Sequence, residues 1–429
     1  MLLFKGRDDE KMSKTNKMRN NKCFSVIEVI VIVILTGVVT GLTTGFFIFK
    51  SDSKYTYTNL TNNVALQEFL EVYASVMTDY YEDVDESALI NSAIDGMFKY
   101  LGDDYSTYLS KEQSESLSSQ LEGEYQGIGV QIDVDKQVVA VFDDSPAMNA
   151  GIKVGDIVVK VNGEDATEWD YTKVTSTIKS TTTGKVNLSL KRANETINVT
   201  VELKKLNVPS VSHEVIEENG KKIGYLYIET FSKTTADQVE SALKKLEDEK
   251  IESLIVDVRN NAGGYLSAAE AISKLFLEKG KVIYSLESKS GTQTTKDNTG
   301  TKRDYDIVVL INKGSASASE ILAAALKESY GATLVGETSY GKGKVQHTMD
   351  LSSGGMVKYT SSKWLTPKGD CIDGVGIKPD YEILADYSKQ PTVDATNEEE
   401  YVNAWTEYSN YLKLISEEQY NKAVELLAN

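Results

Sequence analysis

Two short segments combine residues whose types and spacing suit acyl-transfer chemistry. The first, Gly314-Ser315-Ala316-Ser317-Ala318-Ser319-Glu320-Ile321, follows an apolar strand and opens a helix rich in Ala and Leu. A serine at such a junction sits where the unpaired N–H groups of a helix start converge, a natural place to stabilise an oxyanion. The same letters also spell a capping box, Ser317-x-x-Glu320, which explains the serine without any chemistry. In the second segment, Val335 to Gln346, Lys342 stands between Gly341 and Gly343. A charge on a solvated helix or strand explains that setting poorly. Gly336-x4-Gly341-Lys342 matches a phosphate-binding loop up to its last position. There the chain has Gly343, which lacks the magnesium-binding hydroxyl, and the residues from Lys344 to Met349 read as a strand where such a loop needs a helix. Nucleotide chemistry is therefore set aside.

The scarce residue types narrow the chemistry further. His213 and His347 are the only imidazoles, and Cys23 and Cys371 the only thiols. These argue against a zinc site, a disulfide framework and a Ser-His-Asp triad. The base of a hydrolase built on this chain is then something other than histidine, and a lysine is one such group. Its ordinary pKa of about 10.4 makes it a poor proton acceptor at neutral pH, but burial can depress that value by several units. The chemistry calls for neither metal nor cofactor.

Elements of three kinds must position these groups. Residues 65–110 carry apolar positions at three-and-four spacing (Leu66, Phe69, Leu70, Tyr73; Leu89, Ala93, Met97), which predicts helices. From Glu124 to Leu203 the pattern changes to short strands separated by turn residues. From Lys222 to Ile383 strands and helices alternate, which predicts a sheet covered by helices. A polar stretch follows, and Glu398 to Leu427 reads as one or two aromatic-rich acidic helices. The expected organisation is an α+β multidomain chain. It has a basic segment (1–24), a membrane helix (25–49), a helical region (60–120), a β-rich insert (121–205), an α/β core (207–385) and a helical tail (386–429).

The β-rich insert resembles a PDZ domain. Tyr125-Gln126-Gly127-Ile128-Gly129-Val130 looks like that family's carboxylate-binding loop and edge strand. Ser145-Pro146-Ala147, Ala150-Gly151-Ile152, Gly155-Asp156 and Val161-Asn162-Gly163 follow in the family's order. Glycines there free a run of backbone N–H groups to face one anion, while an extended peptide adds to the strand beside them. Gly127, Ile128, Gly129 and Val130 are thus the expected carboxylate-binding residues.

Taken together, the motifs resemble the carboxyl-terminal processing (tail-specific) serine peptidase family. The resemblance runs from Leu101-Gly102-Asp103-Asp104-Tyr105-Ser106 through the insert, Asp257-Val258-Arg259-Asn260-Asn261-Ala262-Gly263-Gly264 and the two segments above. It ends at Trp364-Leu365-Thr366-Pro367 and Gly374 to Asp380. It implies a ClpP/crotonase-like core and a Ser-Lys dyad whose lysine lies 25 residues beyond the nucleophile, which selects Ser317 and Lys342. It further implies that Gln346 holds the lysine and that N–H groups of Gly263, Gly264 and Ala318 form the oxyanion hole. The expected substrates are proteins or peptides with apolar C-terminal tails. The rival reading is a catalytically silent PDZ receptor for such tails. The chain departs from the family at Lys179-Ser180, where Arg-Gly is frequent, and at Ala262, where proline is. His347 reads as a strand residue, and Asp257 with Arg259 as a support for the Gly-Gly turn.

The charge distribution suggests where such an enzyme works. Residues 1–24 carry +4 within a chain of −18, so the remainder carries −22. An acidic remainder argues against nucleic acid. Val29 to Phe49 is 21 residues without a charge, long enough to span a bilayer. With the basic foot retained inside, the expectation is a single-pass protein of the cell membrane with its N-terminus cytoplasmic and its bulk outside. Gly37, Gly41 and Gly45 share one face of that span, which suits helix–helix contact in a homodimer.

Overall fold

The computed structural model describes residues 62–142, 144–300, 302–392 and 398–429. The expected basic segment, the membrane helix and its three glycines lie outside the described residues. Among the described residues no helix is long and apolar enough to cross a membrane. The chain divides into two compact units, residues 1–91 and 92–429. The first contains α1 (Val64–Asp79) and the start of α2 (Glu86–Leu101). Asn63 caps α1 by accepting the Leu66 N–H. None of its apolar side chains is buried, and Val64, Phe69, Leu70 and Val72 are exposed.

The second unit opens with β1 (Thr107–Leu109) and α3 (Lys111–Glu122), the latter started by a Ser110–Gln113 capping box. A small β-domain follows: β2 (Glu124–Gly127), β3 (Val130–Ile132), β4 (Val138–Val141), α4 (Pro146–Asn149), β5 (Ile157–Val161), β6 (Glu164–Asp165), α5 (Tyr171–Lys179), β7 (Lys185–Arg192), β8 (Glu195–Glu202) and β9 (Lys204–Asn207). Strands β6-β5-β7-β8 form one sheet, β3 pairs with β4, and β2 pairs with β9, so entry and exit strands lie side by side. Alternate residues of β7 (Val186, Leu188, Leu190) enter a core shared with Val158, Val174 and Ile178, the period-two burial of a one-faced strand.

The larger domain comprises β10 (Val211–Glu218), β11 (Lys221–Ile228), α6 (Thr235–Asp248), β12 (Ser253–Asp257), α7 (Leu266–Lys274), β13 (Val282–Ser288), β14 (Gly291–Lys296) and β15 (Asp306–Ile311). It continues with α8 (Ala318–Ala325), β16 (Thr333–Gly336), β17 (Lys344–Asp350), β18 (Met356–Leu365), β19 (Tyr381–Glu382) and α9 (Glu398–Ala428). Its main sheet has the order β10-β11-β12-β15-β16-β19 and is parallel from β11 onward. Parallel strands covered on both faces are apolar without a break, as Leu254-Ile255-Val256 and Ile307 to Ile311 are. Leu254, Val256, Ile307 and Val309 face α6, α7 and α8, whereas Ile255, Val308 and Leu310 face Ala423, Leu427 and Ala428 of α9.

One expectation is narrowed and one changes. The C-terminal segment, read as one or two helices, is a single helix packed over one face of the main sheet. The run at β13 leaves the main sheet and pairs with β18 in a second sheet, β1-β18-β13-β14, to which β17 adds. This second sheet brings the 103–109 segment alongside Lys344 and Thr360.

Candidate active site

Ser317 occupies the sharp turn between β15 and α8. Its backbone has φ +57° and ψ −113°, left-handed territory that costs a non-glycine residue about 1–3 kcal/mol and persists only where the surroundings enforce it. The three serines of the segment have different fates. Ser315 and Ser319 are fully buried, donating to the carbonyl oxygens of Val258 and Asn261, each at 2.8 Å. Ser317 alone is partly open to solvent. The turn packs so closely on Gly263 that a Cβ there would come within 2.7 Å of the Ala316 oxygen and 3.0 Å of Ser317 Cβ.

The anion donors expected beside Ser317 need one correction. Gly263 donates its N–H to Asn261 Oδ1 at 2.8 Å, so the Asn261 side chain removes it from the set. Among the described residues, the N–H groups of Gly264 and of Ala318, the first residue of α8, have no acceptor. Gly264 is held by a bridge to Phe231, where the Tyr265 N–H donates to the Phe231 oxygen at 2.7 Å. A Cβ at Gly264 would overlap that oxygen.

Lys342 sits on a loop clamped by the turn at 372–376. A Cβ at Gly341 would come within 2.8 Å of the Gly376 nitrogen, and one at Gly343 within 2.6 Å of Asp373 Cβ. Close backbone approach therefore explains both glycines. The Lys342 carbonyl accepts from Trp364 Nε1 at 2.9 Å. Its ammonium lies 5.0 Å from the Tyr105 ring centroid and has no carboxylate within ion-pairing distance among the described residues. Burial holds its pKa below the ordinary lysine value, and the nearby Lys358 charge lowers it further, against an opposing pull from Glu320.

Gln346 does not hold Lys342. A register shift between Val345 and Gln346 in the β17–β18 pairing turns the amide toward the neighbouring strand. Its Nε2 donates to Thr360 Oγ1 and to the Lys344 oxygen, both at 3.3 Å. Among the described residues no hydrogen bond joins Lys342 Nζ to Ser317 Oγ either. His347 is exposed on β17 against the Tyr359 ring, and His213 lies on β10, away from these groups in the chain order of the sheet.

Two contributors were not legible as parts of a site, and a third, Arg259, was legible only as a support for the Gly-Gly turn. Glu320 does form the capping pattern with Ser317, but its fully buried carboxylate does more. Oε2 accepts the N–H groups of Ser317 (2.7 Å) and Lys342 (2.9 Å), while Oε1 accepts Ser339 Oγ (2.6 Å) and the Gly341 N–H (2.7 Å). Burial raises its pKa and these four donors counter the rise. Tyr105 belongs to the 101–109 motif, whose turn is fixed by Asp103 accepting from Ser106 and pairing with Lys344 at 3.1 Å. Arg259, paired with buried Asp257, extends Nη1 to the oxygen and Oγ of Ser416 on α9 at 2.7 and 2.9 Å. The signal for each was a charged or aromatic residue inside a motif, with its partner far along the chain.

In the small domain, the Ile128 N–H has no backbone acceptor among the described residues, and the Gly129 N–H is directed at the Tyr125 hydroxyl oxygen. The Ile128 oxygen accepts from Ala147, and the Gly129 oxygen from Phe142. Gly127, Ile128 and Val130 border a cavity of about 280 Å³ lined by residues of β3 and α5, with Lys179 among them.

The family described as "Peptidase family S41" matches residues 222–383, "PDZ domain" matches residues 137–192, and "Activating protease CtpB N-terminal domain" matches residues 49–113. The carboxy-terminal processing protease CtpA of Bacillus subtilis (strain 168) is 36% identical over 370 residues, 85% of this chain and 79% of that one. A probable CtpA-like serine protease of Staphylococcus aureus (strain N315) is 35% identical over 358 residues, 82% of this chain and 71% of that one. Among solved structures, the photosystem II D1 C-terminal processing protease aligns with TM-score 0.46 at 26% identity, over 78% of this chain and 90% of that chain.

Proposed function

The chain belongs to peptidase family S41, the carboxy-terminal processing serine proteases, and from that premise we propose that Ser317 and Lys342 are its catalytic dyad. The observation that carries this reading is the contrast at 315–319: one serine on a strained, partly open elbow between two that are buried and bonded. Lys342 is a fitting base because its ammonium is half-buried, lacks an ion-pair partner among the described residues and has a depressed pKa.

In the reaction, the neutral Lys342 amine takes the Ser317 Oγ proton as the oxygen attacks the scissile carbonyl carbon. The carbonyl oxygen becomes an oxyanion, held by the N–H groups of Gly264 and Ala318. Collapse breaks the C–N bond, and the Lys342 ammonium gives its proton to the leaving amine. Water, deprotonated by the same lysine, then hydrolyses the Ser317 ester. Proton transfer requires the Lys342 amine to come within hydrogen-bond reach of Ser317 Oγ.

The small domain captures the substrate's C-terminal carboxylate at Gly127, Ile128, Gly129 and Val130 and its apolar last side chains in the adjoining cavity. The core is of the ClpP/crotonase type, a reading supported by its helix-covered parallel sheet. The enzyme is anchored by residues 25–49 and works outside the cytoplasmic membrane, as the uncharged 29–49 stretch and the +4 foot suggest. Dimerisation is supported by Gly37, Gly41 and Gly45 and by the exposed apolar side chains of α1.

The test is degradation, by the detergent-solubilised full chain, of a protein ending in an apolar tail. Ser317→Ala and Lys342→Ala should each abolish it, and a charged extension masking the tail should slow it. Equal degradation by wild type and Ser317→Ala would overturn the dyad. A rate indifferent to the tail would overturn the capture role alone.

A further inference from the structure

The Gly264 N–H, one of the two oxyanion donors above, owes its direction to a side chain outside the dyad. Gly263 and Gly264 have φ of +103° and +147°, and two glycines in sequence place little intrinsic cost on turning over the peptide between them. Hydrogen bonds must therefore set its orientation. Asn261 Oδ1 holds the Gly263 N–H. The Gly263 oxygen accepts from the Phe231 N–H at 3.0 Å and from Thr230 Oγ1 at 3.2 Å. In a trans peptide the C=O and the following N–H point in opposite directions. An oxygen fixed toward Thr230 and Phe231 thus turns the Gly264 N–H away from them, where it meets no acceptor among the described residues.

Thr230 lies two residues beyond β11 and is half-buried. Its Oγ1 makes no other hydrogen bond among the described residues. Its own carbonyl accepts from Thr235 Oγ1 at 3.0 Å, and Thr235 is the first residue of α6, so the hydroxyl is carried on a fixed turn. Of the two donors on the Gly263 oxygen it is the only side chain. A hydrogen bond accepted at a carbonyl also polarises the whole amide and makes its N–H a stronger donor. That gain is larger toward a full negative charge than toward a neutral carbonyl, so it falls on the transition state rather than on the bound substrate.

We propose that Thr230 is a positioning residue of the oxyanion hole: by donating to the Gly263 oxygen, its hydroxyl aims the Gly264 N–H and strengthens it toward the developing oxyanion. The inference rests on the reading of Gly264 as an oxyanion donor and deepens it.

The test is steady-state kinetics of the detergent-solubilised full chain on the apolar-tailed protein, with Thr230→Val and Thr230→Ser. Valine keeps the shape and removes the hydroxyl, and the Gly263 oxygen keeps the Phe231 N–H, so this variant should melt close to wild type. One oxyanion donor is worth about 10²–10³ in kcat, and strengthening it by about 10–30% corresponds to about 2- to 8-fold. Thr230→Val should lower kcat by that factor at unchanged KM, and Thr230→Ser, which keeps the hydroxyl, should restore most of the loss. A second measurement uses a peptide boronic acid, Val-Ala-boroleucine, against Val-Ala-leucinamide. Ser317 Oγ bonds to boron and its proton passes to Lys342, which leaves an anionic tetrahedral boronate in the hole. Wild type should prefer the boronic acid, and Thr230→Val should weaken that preference without changing the affinity for the amide. If wild type prefers the boronic acid and Thr230→Val matches it in preference and in kcat, the role of Thr230 is wrong and the oxyanion hole stands. A raised KM at unchanged kcat also overturns the role, because it places Thr230 in substrate binding. So does a Thr230→Ser variant as slow as Thr230→Val, which signals packing. If wild type binds boronic acid and amide alike, the oxyanion hole itself fails, and the Thr230 proposal with it.

Discussion

Glu320 holds Lys342 by its backbone: Oε2 accepts the lysine's N–H at 2.9 Å while also accepting that of Ser317 at 2.7 Å. One carboxylate oxygen thus fixes both members of the proposed dyad, and the other fixes Ser339 and Gly341. A glutamine has the same shape but turns one oxygen into a donor. Whichever way its amide lies, it faces donors with a donor. Glu320→Gln is therefore expected to resemble Glu320→Ala. Both should lose about 2–4 kcal/mol of stability through unsatisfied buried groups, and kcat about 100-fold or more through misplacement of the elbow and lysine loop. Urea unfolding and steady-state kinetics check this. A fully active Glu320→Gln would show that the carboxylate does not position the dyad.

Arg259 ties the loop at 260–264 to α9. Its guanidinium pairs with Asp257 and reaches Ser416 and Gln419, and Asp257 also accepts from Tyr225 Oη at 2.8 Å. Removing one member of a buried pair costs about 3–5 kcal/mol, whereas replacing both with apolar residues is often nearly neutral. Arg259→Met should therefore destabilise strongly, and Asp257→Leu with Arg259→Met should recover much of the loss. Hydrogen exchange should quicken at Asn261 to Gly264 in the single variant. Unchanged exchange there would mean that the pair serves the sheet and not the turn.

The sequence makes some of this legible and hides the rest for identifiable reasons. Ser253 to Asp257 and Asp306 to Ile311 announce parallel strands because both of their faces are covered. The strand at Val282 to Ser288 has a similar apolar character, and nothing local says that its partner is Trp364, far down the chain. Helix α9 buries mainly Ala423, Leu427, Ala428, Tyr408 and Gln419 in a polar, aromatic sequence, so it reads as a tail. At the site, three serines in alternate positions look alike as letters. Only the fold gives Ser317 its positive φ and binds the other two. Likewise, Gly263 and Gly264 differ only once the Asn261 side chain has taken one N–H.

Asp103 gives the 101–109 motif a measurable pH signature. Burial alone would raise its pKa, but hydrogen bonds from Ser106, Thr360 and Lys344 outweigh that and bring it down to about 2. A carboxylate depressed on folding stabilises above its unfolded value of 3.8, and that stabilisation is lost as pH falls toward about 2. Asp103→Asn should therefore be less stable than wild type at pH 7, by up to about 2 kcal/mol, and the gap should close across that acid window. Urea midpoints between neutral and low pH measure it. A gap independent of pH would assign the effect to shape rather than charge.

Lys342 should set the acid limb of activity. Its pKa is held down first by burial and then by the Lys358 charge, and the reaction needs the neutral amine. Hence kcat/KM should rise with pH through a value below 10.5. The Tyr105 ring, 5.0 Å away, acts in two directions. It shields the ammonium from water, and its face attracts the charge. A cation–π contact of this kind is worth about 0.5–1 kcal/mol, less than one pKa unit, whereas burial can shift a lysine by several. Tyr105→Ala should therefore move the limb to higher pH. Lys358→Met should do the same by removing the like charge, and Tyr105→Phe should leave the limb in place. At fixed neutral pH, kcat/KM falls about tenfold for each pH unit the limb moves. The same depression has a stability consequence. Between the folded value and 10.5 the unfolded chain binds more protons at this residue, so wild-type stability rises with pH across that window. Lys342→Met removes the cost of burying the charge and should be more stable than wild type at pH 7. Its advantage should vanish above about 10.5, where the unfolded lysine is neutral too. An acid limb unmoved by both Tyr105→Ala and Lys358→Met would show that another group titrates in the rate.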